Sequence, residues 1–244
     1  MRQARLLDVL PELGERLTRA DQAEARASLL IAVAETGRGR WIPDGHRHPG
    51  DLGLLIIEGA VFRKLTVAGS RSLELLSRAD LLRPWQEDES SFAHSQWEVL
   101  TPVRYAILDR QFTRAAGRLP AVIEAILSQS MRRARSLAVH AAIEAIHSLD
   151  QRVMVLMWHL AERWGSVEED GVAMPLRLTH EILAGLVGAA RPSVTTALGR
   201  LRSAGLLERR PDGSWLLRGS PPGVEGFDET DPAGSRALAG ESVR

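Results

Sequence analysis

The chain has 244 residues, of which 31 are basic, 31 are acidic and none is cysteine. This length suits one large domain or two ordinary ones, and a hydrophobic content of 44% is enough for a core. The absence of cysteine excludes disulfides, thiolate-bound iron–sulfur clusters and cysteine-based redox sensing. Because the formal net charge is zero, any nucleic-acid binding must come from a local basic patch.

The N-terminal region is predicted to be helical. Apolar residues cluster between Leu6 and Leu13, and Pro11 marks a helix start or a kink within the predicted helical range 1–35. The first residues lack the pattern of a signal peptide, and the longest apolar run is too short to span a membrane. We therefore expect a cytoplasmic protein.

Residues 41–108 are predicted to form an antiparallel β-roll or barrel, because short apolar runs alternate with glycine and turn signals. The run 54–57, the pair Glu58-Gly59 and the run 60–65 are predicted to be strand, turn and strand. Further strands are expected over 72–76 and 99–108, and the mostly polar stretch 86–96 is a predicted loop.

A long helix is predicted from Pro120 to Ser148, after a shorter helix that Asp109 caps and that ends near Gly117. Apolar or small residues recur along the long helix with a period of about 3.5, which favours a dimer interface between two such helices. The alternative is a core helix within one chain. The repeating positions are Ile123, Leu127, Ser130, Ala134, Leu137 and Ala141.

The next segment is predicted to contain a hinge at Leu149-Asp150. Asp150 is expected to cap a helix over 151–164, and an acidic loop is expected over 165–171.

Residues 178–207 are predicted to form a helix-turn-helix. Thr179 is an N-cap candidate, and Glu181 lies in the first turn, where a negative charge suits the helix dipole. The small residues 188–190 interrupt the apolar pattern before a second helix begins. That helix has one apolar stripe and an opposite face of short polar side chains, which is typical of a DNA-reading helix. The stripe consists of Val194, Ala197, Leu198 and Leu201.

A β-hairpin is predicted after the second helix. Strands over 206–210 and 215–217 flank a Pro-Asp-Gly turn, which is the arrangement of the wing in a winged helix. Between Arg177 and Arg218 there are seven arginines against three carboxylates, a local excess of four positive charges. The turn, the wing and the charge all indicate DNA binding, whereas a helical hairpin that only packs is the alternative.

A β-roll, a long helix and a winged helix in this order resemble the CRP/FNR family of bacterial transcription regulators. The resemblance covers residues 20–219 by architecture and is most specific in 178–182 (LTHEI), 186–188 (LVG) and 191–195 (RPSVT). It implies an α+β fold whose antiparallel β-roll is of the double-stranded β-helix or jelly-roll type, like a cyclic nucleotide-binding domain. It also implies a homodimer that binds a palindromic operator.

Four parts of the chain are therefore expected. They are a β-roll domain with N-terminal helices (1–118), a dimerisation helix (119–149), a winged-helix DNA-binding domain (150–219) and a disordered tail (220–244).

The resemblance implies roles for individual residues of the second helix. It places Arg191 at a base- or phosphate-contacting position, Pro192 where cyclic-AMP-type members carry a glutamate, and Thr196 where they carry a second arginine. The operator should therefore differ from that of the best-known members. The expected DNA contacts are Thr179, Arg191, Pro192, Ser193, Thr195, Thr196 and Arg200, with Arg209 and Arg210 of the wing on phosphates.

The effector region departs from the members that bind cyclic AMP. They carry Gly-Glu followed by Arg-Ser in a phosphate cassette, and the corresponding run 78–85 (RADLLRPW) lacks both. Val139-His140 stands at the Thr-Ser pair that contacts the purine. Because a cyclic phosphodiester needs an arginine and N–H donors and its ribose needs a carboxylate, no tight cyclic AMP binding is predicted. Arg83, Trp85 and His140 are candidate pocket residues for an unknown effector, although tryptophans more often belong to a core.

No metal, cofactor or catalytic site is predicted. His140, Glu144 and His147 share one helix face, but this ligand set is incomplete. His46 and His48 could bind metal or haem, but histidines in a predicted loop are more often solvated. The sequence contains no nucleophile elbow, P-loop or paired-histidine zinc motif, which argues against an enzyme.

The predicted function is a homodimeric DNA-binding transcriptional regulator with an unknown effector. RNA polymerase is a further possible partner. The alternatives are a ligand-independent, constitutive DNA binder and a small-molecule or protein-binding module without DNA function.

Overall fold

The computed structural model of the protein describes residues 2–43, 50–85 and 93–222. The chain divides into two compact units, Met1–Ala145 with Ala184–Ala190, and Ile146–Leu183 with Arg191–Arg244. Within the described ranges no single helix is long and apolar enough to cross a membrane. Only a pair of helices bent by 104°, His180–Leu186 and Arg191–Ser203, reaches that length and hydropathy together.

An antiparallel sheet forms the β-roll of the first unit. Its seven strands are β1 (Arg2–Arg5), β2 (Leu30–Thr36), β3 (Gly39–Trp41), β4 (Gly53–Val67), β5 (Ser70–Ser77), β6 (Leu81–Leu82) and β7 (Ala93–Leu108). Five of them follow the order β1-β2-β7-β4-β5, while β3 pairs with β7 and β6 pairs with β4. The longest pairing joins β4 to β7, from Gly53↔Leu108 to Val67↔Ala93.

The apolar run at the start of β4 is buried on both faces of the sheet. Leu54 and Ile56 belong to a cluster that includes Trp41, Trp97 and other residues of the roll. Leu55 and Ile57 belong to a second cluster, which contains the N-terminal leucines and the first turns of the later helices. Since side chains alternate along a strand, an unbroken apolar run is what a strand covered on both faces requires.

The predicted turn at Glu58-Gly59 is wrong, because β4 continues through it. The register against β7 shifts between Ile56 and Val61, so the two residues belong to a bulge rather than to a chain reversal. Gly59 has a φ of +94°, and a Cβ there would lie 2.2 Å from the carbonyl oxygen of Pro102. This bulge needs glycine for the same conformational reason that a turn does, so the sequence signal is ambiguous.

The helical prediction for residues 1–35 is right only in part. Helices α1 (Leu6–Val9) and α2 (Arg19–Ser28) are present, and a 3₁₀ turn begins at Pro11. The segments before and after them are the paired strands β1 and β2, from Arg2↔Val33 to Arg5↔Leu30. The polar sequence of β1 carries no apolar alternation, so only its pairing with β2 makes it a strand.

The predicted loop 86–96 is wrong at its C-terminal end. Residues 93–96 are the start of β7, where they pair with Lys64–Val67 of β4. Residues 86–92 lie outside the described residues.

Two helices follow the last strand of the first unit. Asp109 caps α3 (Arg110–Ala116) as predicted, since its Oδ1 accepts from the Phe112 N–H at 2.9 Å. The long helix α4 (Pro120–Glu144) begins where predicted but ends four residues before Ser148. The break before the next helix, α5 (Leu149–Trp164), therefore lies at 145–148 and not at Leu149-Asp150.

The predicted cap of α5 is corrected from Asp150 to Ser148. The Ser148 hydroxyl oxygen accepts from the Gln151 N–H, and Asp150 is the second residue of the helix. Serine and aspartate are both good caps, so the sequence alone did not separate them.

The second unit combines α5 with the first four residues of one short helix, the whole of the next helix and a four-stranded sheet in the order β10-β11-β9-β8, whereas residues 184–190 belong to the first unit. The helices are α6 (His180–Leu186) and α7 (Arg191–Ser203), and the strands are β8 (Ser166–Glu168), β9 (Gly171–Met174), β10 (Leu207–Arg209) and β11 (Trp215–Leu217). The predicted acidic loop over 165–171 is instead a tight hairpin of β8 and β9. Its first strand is three exposed residues long, too short for a visible alternation.

Candidate nucleic-acid interface

Helices α6 and α7 form the predicted helix-turn-helix. The Thr179 hydroxyl oxygen accepts from the Ile182 N–H at 3.2 Å, which confirms the predicted cap of α6. The two helices are bent by 104°, within the range of about 90–120° that such motifs show. Gly188 lies in the turn with a φ of +62°, a left-handed conformation that favours glycine.

Helix α7 has one buried face and one exposed face. The predicted apolar stripe is buried in full: Val194, Ala197, Leu198 and Leu201. The opposite face carries Pro192, Thr195 and Thr196, all exposed, beside the partly exposed Gly199. Because these side chains are short, the helix surface is smooth enough to approach the edges of base pairs in a major groove.

Each threonine hydroxyl on the exposed face already donates a hydrogen bond to a backbone carbonyl oxygen of α7. Thr195 Oγ1 donates to the Arg191 carbonyl oxygen at 3.0 Å, and Thr196 Oγ1 donates to the Pro192 carbonyl oxygen at 3.1 Å. A hydroxyl has one donor and two acceptor lone pairs, so each oxygen is left as an acceptor. This face of α7 therefore suits partners that carry N–H donors.

The predicted wing is confirmed. Strands β10 and β11 pair from Leu207↔Leu217 to Arg209↔Trp215. The turn between them is held by Asp212, whose Oδ1 accepts from the Ser214 hydroxyl at 2.7 Å and from the Ser214 N–H at 2.9 Å. These hydrogen bonds lower the pKa of Asp212, because they stabilise its charged form.

The six arginines between 191 and 218 fall into two groups. One group forms ion pairs within the second unit: Arg200 with Asp150 (2.6 Å), Arg210 with Glu168 (2.6 Å) and Arg218 with Glu208 (2.7 Å). Among the described residues, the guanidinium groups of Arg191, Arg202 and Arg209 have no carboxylate at that distance. Arg209 lies over the Trp215 ring instead, 5.9 Å from its centroid. The sequence could not identify Arg200 and Arg210 as paired, because their carboxylate partners lie 50 and 42 positions away along the chain.

The paired arginines hold their carboxylates in the charged form. A two-bond contact with Arg200 lowers the pKa of Asp150, and the contact with Arg210 lowers the pKa of Glu168. Arg200, which the sequence predicts as a DNA contact, thus points to the start of α5 in this structure. Asp150 and Glu168 were not identified as part of this site from the sequence.

Part of the repeating face of α4 is exposed in the single chain. Leu127, Ala134 and Ala141 are exposed, whereas Ile123 packs against a core cluster and Ser130 donates to the Ile126 carbonyl oxygen. Five exposed apolar residues on α4 follow a 4-3 spacing, namely Leu127, Met131, Ala134, Ala138 and Ala141, while Leu137, Val139 and Ala142 are exposed beside them. Met131, which is 64% exposed, is not among the positions that the sequence predicts for the interface.

The predicted effector residues have separate partners. Arg83 donates to the Asp51 carbonyl oxygen at 3.4 Å, and Trp85 packs against the core cluster of the roll. His140, on α4, has its Nε2 2.6 Å from the Leu186 carbonyl oxygen, both residues belonging to the first unit. These contacts do not join the three side chains in one polar site.

The run that stands in for the phosphate cassette is bonded within the roll. Arg78 donates to the carbonyl oxygens of Ile57 (2.8 Å) and Val9 (2.9 Å) and pairs with Glu12 (2.8 Å). Asp80 is buried and accepts from the Ser77 N–H at 2.8 Å. The polar groups of this run are therefore engaged in holding the fold.

Within the described residues no group of three or more histidine, aspartate and glutamate side chains is arranged to hold a metal. His140 Nε2 lies 3.8 Å from the Glu144 carboxylate. His46 and His48 lie outside the described residues, as do residues 223–244 of the predicted tail.

The chain is similar to known transcription regulators in sequence. Residues 151–218 match the model of the Crp-like helix-turn-helix domain. The chain is 28% identical over 180 residues to the CRP-like cAMP-activated global transcriptional regulator of Mycobacterium tuberculosis (strain ATCC 25618 / H37Rv), covering 70% of this chain and 80% of the relative. Residues 151–218 are thus a Crp-like helix-turn-helix domain, and over most of its length the chain is similar to regulators of the CRP/FNR family. It is also 25% identical over 212 residues to the global nitrogen regulator of Synechococcus elongatus, covering 83% and 88%.

Solved structures support the α+β fold of this protein. A cyclic nucleotide-binding domain containing protein from Listeria monocytogenes EGD-e aligns with a TM-score of 0.63 at 14% identity, over 88% of this chain and 98% of the other. A CooA mutant from Carboxydothermus hydrogenoformans aligns with a TM-score of 0.61 at 17% identity, over 88% and 92%. The predicted fold class is confirmed, and the relatives are transcriptional regulators, not enzymes.

Proposed function

We propose that this CRP/FNR protein is a homodimeric regulator that binds a palindromic operator, without cyclic AMP as its effector. The observation that carries the proposal is the exposed face of α7, where short side chains lie beside the unpaired Arg191. An unpaired guanidinium is suited to a guanine edge or to a phosphate. Arg202 and Arg209, also without a carboxylate partner in the described part of the chain, extend the positive surface.

The side chains on the exposed face of α7 limit which base sequences the operator can have. Thr195 and Thr196 offer acceptor oxygens, which suit the amino groups of cytosine or adenine. Pro192 is exposed and has no polar side-chain atom, so it is limited to apolar contact such as with a thymine methyl. We therefore expect a half-site in which Arg191 reads guanine next to positions read by acceptor and apolar groups.

Selection from a random duplex library tests the function directly. We expect enrichment of a two-fold-symmetric site whose half-site centres lie about 34 Å apart, one turn of DNA. Thr196→Ala should change the preferred base at one position in each half-site. Recovery of no enriched duplex, at any salt concentration that keeps the protein folded, would refute DNA binding and favour a module that binds a protein or a small molecule.

The exposed stripe on α4 supports the homodimer. Two copies of a helix with 4-3 apolar spacing can bury Leu127, Met131 and the three alanines that continue the stripe against each other. Leu127→Glu is expected to shift the mass in sedimentation from two chains to one and to weaken binding to the palindrome. Arg132→Glu, exposed on the same helix but outside the stripe, is the control and should leave the dimer intact.

A second candidate is a constitutive regulator that needs no effector. It is favoured by residues 78–85, which stand at the position of the phosphate cassette. In this run Arg78 and Asp80 form hydrogen bonds to other residues of the roll, Ile57 and Ser77. Titration calorimetry with cyclic AMP should show no micromolar binding, although a relative is cAMP-activated. Binding of the selected operator that is unchanged by a metabolite extract would support the constitutive form, while an extract-dependent increase would support an effector. Whether or not the regulator needs an effector, we propose that it acts in the cytoplasm.

A further inference from the structure

His180 lies at the junction of three elements of the second unit. It is the first residue of α6, and its Nδ1 lies 3.0 Å from the Thr195 hydroxyl oxygen on the exposed side of α7. The ring is partly buried, and charged groups face it from two further positions, Arg191 at the start of α7 and Arg209 in β10. On its own helix the next residue is Glu181. His180 was not among the residues that the sequence predicted to contact DNA.

The hydrogen-bond chain fixes which ring nitrogen carries the proton. Thr195 uses its one hydroxyl proton on the Arg191 carbonyl oxygen, so its oxygen can only accept from His180. Nδ1 is therefore the protonated nitrogen, and Nε2 of the neutral ring carries a lone pair. In this form the ring cannot donate from Nε2 to an anion.

The surroundings keep the ring neutral in the free protein. Partial burial lowers the pKa of His180, and the positive charges of Arg209 and Arg191 lower it further. The two charge effects would weaken or reverse if a phosphate approached, because its negative charge offsets both guanidinium groups and attracts a proton to Nε2.

We propose that His180 couples DNA binding to the uptake of one proton. A backbone phosphate that contacts Arg191 and Arg209 draws a proton from solvent onto Nε2, and the imidazolium then donates Nε2–H to that phosphate while Nδ1–H stays on Thr195. The inference rests on the proposed DNA binding and adds its regulation by pH. Because the bound form holds the extra proton, affinity rises as pH falls and levels off once the free ring is also protonated.

The test measures the affinity of the full-length protein for a labelled mixed-sequence duplex of about 40 base pairs by fluorescence anisotropy, at fixed ionic strength. We expect wild-type affinity to be about three- to tenfold higher near pH 6 than near pH 8. His180→Asn keeps a donor at the position of Nδ1 but cannot gain a proton, so its affinity should lose this rise. His147→Asn, exposed and outside the helix-turn-helix, is the matched control and should keep it.

Calorimetry of the wild-type protein makes the test independent of how the variants fold. Titration of the duplex near pH 7 in buffers of different ionisation enthalpy should report uptake of about half a proton per protomer. Zero uptake, or a pH dependence that survives His180→Asn, overturns the inference while leaving DNA binding in place. A protein that binds no duplex at any pH contradicts the proposed function itself, and the inference with it.

Discussion

The β-roll and the winged helix use their charged side chains in opposite ways. In the roll, Glu74 is only 11% exposed and lies between Arg63 (2.7 Å) and Arg133 (2.7 Å). Arg133 also donates to the Leu81 carbonyl oxygen at 2.9 Å, so α4 is tied to β5 and β6. In the winged helix, three of six arginines have no carboxylate within ion-pair distance among the described residues. The same residue type thus completes a fold in one region and leaves charge for a ligand in the other.

Removal of the carboxylate at the centre of the roll should have the largest effect. Glu74→Ala leaves two arginines without their shared counterion, and we expect a loss of about 3 kcal/mol in the free energy of unfolding. Urea denaturation measures this loss. Glu98→Ala is the control, since it breaks a pair with Lys64 in which both side chains are 45% exposed, and should cost less than about 1 kcal/mol. Equal losses would show that Glu74 is no more important than a surface charge.

Removal of the unpaired arginine of α7 should have the next largest effect. Arg191→Ala takes away a base or phosphate contact, so we expect operator affinity to fall about 10- to 100-fold without a change in thermal stability. Gel-shift titration measures it. Arg118→Ala, exposed in the first unit, is the control. If both variants bound equally well, the free charge on α7 would not be a recognition element.

The adjacent arginines of the wing allow a finer comparison. Both were predicted to grip phosphates, but only Arg210 is paired, with Glu168. Arg209→Ala should reduce the slope of log affinity against log salt by about 1, because one phosphate contact is lost. Arg210→Ala should reduce that slope by clearly less, since part of its charge is already neutralised. A larger change for Arg210 would mean that DNA displaces Glu168 completely.

The smallest expected effect concerns that carboxylate. Glu168→Gln frees Arg210 for a phosphate, so affinity for any duplex should rise about twofold and its salt slope should steepen. Glu169→Gln, at the next position of the hairpin, is the matched control for the lost negative charge. The same anisotropy titration checks both variants, and an identical gain in the control would assign the effect to net charge alone.

The sequence predicted well where the signal is local. Asp109 and Thr179 cap the helices that follow them, and the apolar stripe of α7 is buried as its spacing indicates. Predictions failed where distant strands decide the structure. Glu58-Gly59 is a bulge only because β7 continues beside it, and β1 is a strand only because β2 pairs with it.

The sequence alone determined the winged helix and its similarity to CRP/FNR regulators, because helix periodicity, caps and the wing turn act over a few residues. Only the tertiary structure decided which charges are free to act. Asp150 and Arg200 are fifty positions apart, Glu168 and Arg210 forty-two, and His180 and Thr195 fifteen. No local pattern encodes such pairs, since folding brings them together through the packing of apolar faces that lie elsewhere in the chain.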